Sequence, residues 1–483
     1  MLAARSSSGQ VDGRILSLVA LLLGDALAQA TRPARAVVGD PWQPAAMSDE
    51  DQLTAKEFQE AGGVDDWRAI GLGASAWFDA SSHAAGAALV GRVVELVGST
   101  GVMPDIDVRA RGVHVRTGTS GFTTADVELA RAISAAARDL GLVADPSAVQ
   151  NVQLAIDARD KTAVLPFWHA AMGYEQVSDD YLGDTLRRAP AIWFQQQDEP
   201  RPLRNRIHVD IARPQTTAFE GEAVTTVGGR FLGGAYTVAH SDAEGNEADV
   251  IPVGADDDEL GKVAETADWR AMFGGMTFYP VDSPLQAAEL TAAVASLADE
   301  AGMPLLVDVR PDAVAIDSGK DLWEEAGFED LARAVQAAAR GMGLTADPTR
   351  LVFVQIGIDA VDIPTVRAFW RSVLGYVDDP RSEFGLTDIY DPRRLNLTIF
   401  FQQMDASDEA RRKQRNRIHV DAYVPNDQAQ VRIDAALAAG GRIVYDGDAP
   451  EWWTLADPEG NEVDIAVTVG REEIWRATHP DPA

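Results

Sequence analysis

The chain has 483 residues, 46% of them hydrophobic, and a net charge of -33 from 75 acidic against 42 basic residues. That length supports roughly three or four domains of ~100 to 150 residues, and the charge opposes nucleic acid and anionic membrane surfaces through long-range repulsion. No cysteine is present, so disulfides, thiolate metal sites and cysteine nucleophiles are excluded.

In chain order, residues 1–46 come first. Ile15 to Leu23 is a short apolar run preceded by Arg5 and Arg14 and followed by Ala28-Gln29-Ala30, the outline of a secretory signal. Gly24 and Asp25 interrupt it, and Arg32, Pro33, Arg35 and Pro41 make the next stretch linker-like. The preferred reading is a disordered extension or a mis-called start, with Met47 opening the folded part. No run reaches the ~18 apolar residues of a membrane span, and a cytoplasmic location is the expectation.

Residues 48–147 carry Asp66-Trp67-Arg68, a helical stretch from Ser82 to Val97, a strand-like run from Ile106 to Thr117, and a second helix from Thr124 to Gly141 capped by Thr123 or Thr124. The alternation in Asp105-Ile106-Asp107-Val108-Arg109 and Gly112-Val113-His114-Val115-Arg116 predicts a half-exposed antiparallel sheet under helices, with His114 a surface residue. Residues 150–253 read differently. A strand at Asn151–Asp157, a helix at Thr162–Met172, a strand at Ala191–Gln196, the strand of His208, and an acidic turn from Asp242 to Glu247 precede a final strand.

The series then begins again. Asp268-Trp269-Arg270 repeats Asp66-Trp67-Arg68, Gly343 to Pro348 matches Gly141 to Pro146, and Glu459-Gly460-Asn461-Glu462 returns Glu244-Gly245-Asn246-Glu247. Asn-Arg-Ile-His-Val-Asp occurs intact at Asn205–Asp210 and at Asn416–Asp421. A period near 200 residues is too long for a solenoid and marks duplication of a domain pair. The second pair is expected at 260–349 and 352–468, followed by a tail at 469–483.

The first domain of each pair resembles the pterin-4a-carbinolamine dehydratase fold through Trp67-Arg68, Pro104-Asp105-Ile106-Asp107-Val108 and Gly121-Phe122-Thr123-Thr124-Ala125-Asp126. That family's proton-carrying histidines fall on Val102-Met103-Pro104, on Gly302-Met303-Pro304 and on Gly118, none of which can carry a proton. The second domain resembles the glyoxalase-like branch of the vicinal oxygen chelate superfamily, through Phe167-Trp168, Gly173-Tyr174, the His208 strand and the acidic turn. Its second copy matches through Phe369-Trp370, Gly375-Tyr376, Asn416–Asp421 and Asp457–Glu462. The fold expected is α+β: two degenerate dehydratase-like sheet domains alternating with two chelate-type domains of paired βαβββ modules.

The chelate resemblance implies a cavity in each copy with four strand positions facing its centre. By position these are Gln153, Gln195, His208 and Asp249 in the first copy, and Gln355, Gln402, His419 and Asp464 in the second. Alternation puts Arg206, His208 and Asp210 on one strand face, and Arg417 with His419 likewise. His208 and His419 are the candidate catalytic bases. Gln153, Gln195, Arg206, Asp249, Gln355, Gln402, Arg417, Asp464 and Trp453 are candidate ligand contacts, and His208, Asp249, His419 and Asp464 are candidate ligands for a divalent metal. One anion and one imidazole per cavity make a poor metal set, which favours metal-free binding; the alternative is a histidine hydrogen-bonded within its sheet. Trp452-Trp453 has no counterpart in the first copy, where Ala235-Tyr236 stands, so the cavities are expected to differ. The expected function is to bind or transform a small organic molecule, as a lyase, an isomerase or a dioxygenase-like enzyme. The alternatives are pterin carbinolamine dehydration and a non-catalytic oligomeric scaffold.

Overall fold

The computed structural model describes residues 52–471 except 72, 99–102, 119–120, 215–226, 234–237, 254–257 and 382–384. The readings of residues 1–46, of Val102 and of Ala235-Tyr236, and all of the tail beyond Arg471, fall outside the described residues.

The first sheet-and-helix unit contains β1 (Arg68–Ile70), β2 (Gly73–Asp79), α1 (His83–Val97), β3 (Asp105–Arg109), β4 (Gly112–Thr117) and α2 (Thr124–Asp139). Thr123 starts α2 with a capping box shared with Asp126, which satisfies two otherwise orphaned backbone donors. Gly112 is needed at the β3–β4 corner, where a Cβ would fall 2.2 Å from the Trp77 ring.

Two modules follow. The first has β5 (Asn151–Ala158), α3 (Lys161–Met172), β6 (Glu175–Ser178), β7 (Tyr181–Gly183) and β8 (Ile192–Gln196); the second has β9 (Ile207–Pro214), β10 (Arg230–Gly233), β11 (Ala239–Ser241) and β12 (Glu247–Val253). The repeat supplies β13 (Arg270–Met272), β14 (Gly274–Pro280), α4 (Pro284–Ala301), β15 (Leu306–Arg310), β16 (Ala313–Asp317) and α5 (Phe328–Gly341). Its third module has β17 (Phe353–Ala360), α6 (Ile363–Leu374), β18 (Val377–Asp378), β19 (Ile389–Tyr390) and β20 (Thr398–Gln403). Its fourth has β21 (Ile418–Tyr423), α7 (Ala429–Ala438), β22 (Arg442–Tyr445), β23 (Trp452–Ala456) and β24 (Glu462–Ala466). No helix among the described residues is long and apolar enough to cross a membrane.

The two sheet-and-helix units merge into one sheet, ordered β13-β14-β16-β15-β3-β4-β2-β1, because β3 and β15 pair antiparallel with Asp107 opposite Asp308. One face carries Ile106, Val108, Val113 and Val115 with Val307, Val309, Val314 and Ile316, all buried under the helices in a shared core. The opposite face, expected to be half exposed, is buried as well. Two loops, 184–190 and 391–397, cover it, and its charges pair off: Arg310 with Asp107, Arg109 with Asp308, Arg187 with Asp105. His114 is 8% exposed and bonded to Asp107 at 2.9 Å, so it is an interior residue. Alternation in the sequence shows which residues share a face, and only the covering loops show that the charged face is dry.

The modules pair across the duplication. One eight-stranded sheet runs β22-β23-β24-β21-β5-β8-β7-β6, joining the fourth module to the first; the other runs β10-β11-β12-β9-β17-β20-β19-β18, joining the second to the third. Within each repeat the contacts are of another kind. The Asp242 carboxylate accepts from Trp168 Nε1 of α3 at 3.0 Å and from the backbone of its own turn, while Glu244 accepts from the amides of Arg159 and Asp160 ahead of α3. Asp457 and Glu459 repeat both arrangements with Trp370 and with the amides of Val361 and Asp362. The apolar faces of both sheets and their helices form one continuous core.

Each repeat thus holds half of each composite sheet. A fragment of residues 48–260 is expected to run as a dimer in size-exclusion chromatography with light scattering, two copies restoring both pairings; a well-folded monomer would contradict this arrangement.

Candidate functional site

The composite sheets regroup the residues singled out above. In one cavity, β21 runs antiparallel to β5 with His419 opposite Ala155 and Asp421 opposite Gln153, and Asp464 of β24 lies beside Asp421. In the other, His208 lies opposite Gly357 and Asp210 opposite Gln355, with Asp249 beside Asp210. Gln153 therefore belongs with His419, and Gln355 with His208. The expected grouping by copy is corrected, because strand pairing crosses the repeat.

Both cavities contain an acidic residue that the four-position reading left out. Asp210 and Asp421 sit two residues after the histidine, on its strand face. Ligand atoms of His208, Asp210 and Asp249 lie within 4.8 Å of one another, as do those of His419, Asp421 and Asp464. His419 Nε2 is 3.5 Å from Asp421 Oδ1 and 3.9 Å from Asp464 Oδ2, and His208 Nε2 is 3.5 Å from Asp210 Oδ1. The remaining carboxylate oxygens are held from behind: Trp193 Nε1 donates to Asp421 Oδ2 at 2.5 Å, and Gln355 Nε2 to Asp210 Oδ2 at 2.9 Å. Asp210 Oδ1, Asp421 Oδ1, Asp464 Oδ1 and Gln355 Oε1 are buried with no hydrogen-bond donor. An orphaned buried carboxylate oxygen calls for an unseen partner.

Electrostatics agree. Burial pushes the Asp421 carboxyl up to about 7, Asp464 adding to the rise and His419 opposing it. Burial also raises Asp464 and Asp210. For His419, burial works to lower the pKa, but the carboxylates of Asp421, Asp464 and Asp157 outweigh it and the imidazole rises.

The cavities are not identical. The His208 ring lies over Gly357, where a Cβ would fall 2.2 Å from its Cε1, and meets the Phe400 ring edge-on at 5.7 Å. In the first cavity the corresponding residues are Ala155 and Trp193, and the His419 ring has Asp157 3.8 Å away. The central sheet also sends Lys320 to the second cavity. Its ammonium pairs with Asp388 and lies 5.5 Å from the Phe400 ring centre.

Other expectations need correction. Gln195 and Gln402 sit on the cavity face of their strands but are exposed, because Trp193 and Phe400 hold the deeper positions. Trp453 lies opposite Ile465 and packs on the apolar core; on β23 it is Thr454 that stands opposite Asp464, and alternation puts Trp452 on that face. Arg206 and Arg417 are 1% exposed, and their guanidinium groups are taken up by Asn461 or Asn246 and by backbone carbonyls. They hold the fold together where ligand contact was expected. Gln195→Ala is expected to change stability and ligand response little, within ~0.5 kcal/mol, as read by denaturation and calorimetry.

Residues 153–251 and 355–466 match the glyoxalase-like domain family. Glyoxalase I from Zea mays is a structural neighbour at 12% identity and TM-score 0.34, covering 68% of this chain and 98% of that one. A substituted form of the maize enzyme gives 12%, 0.31, 68% and 96%, and the hypothetical protein SA1046 from S. aureus gives 14%, 0.18, 23% and 89%. No curated protein matches the chain.

Proposed function

We propose that this chain binds and transforms a small organic molecule in two composite glyoxalase-like cavities, each holding a divalent cation through one imidazole and two carboxylates. The observation that carries this reading is the pair of His-Asp-Asp clusters, His419-Asp421-Asp464 and His208-Asp210-Asp249, in which one buried oxygen each of Asp210, Asp421 and Asp464 lacks a hydrogen-bond donor among the described residues. The preference for metal-free binding rested on one carboxylate per cavity. A second carboxylate changes the balance: the nitrogen and oxygen donors suit manganese, iron or zinc better than magnesium or calcium. Such a cation polarises a bound carbonyl or hydroxyl.

The residues around it have separable tasks. Trp193 and Gln355 orient a carboxylate from behind, as ligands are commonly steadied by outer partners. As ligands, His419 and Asp421 must give up their protons to the cation, so cation binding is expected to weaken as pH falls. The merged sheet-and-helix units serve as a platform in this proposal. Dehydration of a pterin carbinolamine would need proton carriers that Met103, Gly118, Gly302 and Met303 do not offer.

Metal analysis after loading with manganese, iron or zinc tests the reading, with thermal unfolding before and after EDTA. Two cations per chain and a saturable rise in unfolding temperature are expected; no retained metal and no shift would sink the proposal. Gly357→Ala should separate the cavities. The added Cβ displaces the His208 ring, so stoichiometry is expected to fall from two to one, whereas two retained cations would show that His208 is not a ligand.

A further inference from the structure

The duplication supplies an internal comparison on the charged face of the central sheet. In the first copy, Asp105 of β3 stands opposite Arg116 and accepts from Arg187 Nε and Nη2 and from Arg116. Arg187 is a non-glycine residue in the left-handed region, φ 49°, and its counterpart on the repeated loop is Arg394, φ 53°. Strain of this kind persists where the surroundings impose it. The register that pairs Asp107 with Asp308 makes Leu306 the counterpart of Asp105, and Leu306 stands opposite Asp317 where Asp105 stands opposite Arg116.

The second copy therefore keeps the arginine and lacks its carboxylate. Arg394 rests on the Tyr390 ring, 3.3 Å from its centre, and hydrogen-bonds to Tyr390, while the carboxylates of Asp379 and Asp317 act on it from further away. Leu306 and Arg394 border a cavity of about 90 Å³ that Arg188, Arg109, Lys320 and Thr398 also line. Arg188 bonds Asp308 through Nε, its side chain is 8% exposed, and its Nη1 has no acceptor. Asp308 and Asp317 line the same cavity: Asp308 pairs with Arg109 and Arg188, and Asp317 accepts from the Gly319 amide and lies 3.7 Å from Arg188 Nη2, which leaves Nη1 as the open donor of Arg188. Lys320 is paired with Asp388.

We infer that this cavity is a binding site for a carboxylate group, which enters from a ligand at the place that Asp105 fills in the first copy. Arg394 and the Nη1 of Arg188 are its donors, and the planar fork of a guanidinium matches the two oxygens of a carboxylate. The space admits a group of a few heavy atoms. Thr398 is the register partner of Gln355, so the site adjoins the His208 cavity. The inference does not use the His208-Asp210-Asp249 cluster and stands or falls apart from the cation proposal.

Acetate and acetamide at constant ionic strength make the test, read by calorimetry and thermal unfolding of the full chain. Acetate is expected to bind saturably, and the neutral isostere is not. Arg394→Gln should weaken acetate at least ~10-fold. Leu306→Asp places the protein's own carboxylate in the cavity and should abolish the acetate response. Equal responses to acetamide, no saturable response, or unchanged acetate binding by Arg394→Gln would overturn the inference.

Discussion

Asp421→Asn is expected to stabilise the metal-free protein at pH 8 and to destroy cation binding in the first cavity. The sign follows from the direction of the shift. With its pKa pushed up to about 7, the folded Asp421 carboxyl keeps a proton that the unfolded chain, titrating at 3.8, has released. Stability therefore falls as pH rises between about 4 and 7 and levels off above. Asparagine removes that penalty but also takes from His419 a carboxylate that raises it, and a raised imidazole stabilises below its unfolded pKa and loses that contribution as pH climbs. The net gain at pH 8 is roughly 1–3 kcal/mol, vanishing near pH 4. Urea titrations of both proteins across pH 4–8 measure it, and a variant less stable than the parent at pH 8 would contradict the electrostatic picture. With cation present the order reverses, because affinity in the first cavity should drop about 100-fold or more.

Arg206→Ala and Arg417→Ala are expected to cost roughly 3–5 kcal/mol each. The Arg206 guanidinium bonds Asn461 Oδ1 and the carbonyls of Arg411, Arg412, Gln414 and Gly460, all in the other repeat. Arg417 answers with Asn246 Oδ1 and the carbonyls of Arg201, Leu203 and Gly245. Truncation leaves a set of buried acceptors without donors. Lysine should not rescue, since one ammonium cannot span a fork of three directions. The double variant is expected not to fold. Denaturation curves within ~1 kcal/mol of the parent would show that these arginines are surplus to the clamp and reopen a role in ligand contact.

These predictions rest on features of unequal visibility in the sequence. The repeated hexapeptide already showed that the chain is duplicated, and its alternation placed His208 with Asp210 and His419 with Asp421 on one face. Asp421 and Asp210 are therefore legible in the sequence as neighbours of the histidines, although the four positions that the chelate resemblance implies do not include them. Gln195 and Gln402 were placed on the right face, but depth along a strand is not encoded in a period of two. Trp453 stands out in the sequence because the Trp452-Trp453 pair has no counterpart in the first copy, whereas the β23 register gives its neighbours Trp452 and Thr454 the side of Asp464. The buried role of Arg206 could not be read either, since its partners lie more than two hundred residues away.

The sequence by itself determined the duplication, the module type and the residue kinds available to each cavity, because hydrophobic alternation and local turn chemistry are short-range properties. The tertiary structure alone decided which modules share a sheet. Homologous modules present interchangeable strand edges, so joining the first to the second or to the fourth satisfies the same pattern of apolar faces. The choice is made by long-range contacts: β3 against β15 in the central sheet, and the reciprocal arginine clamps that tie each repeat to the other.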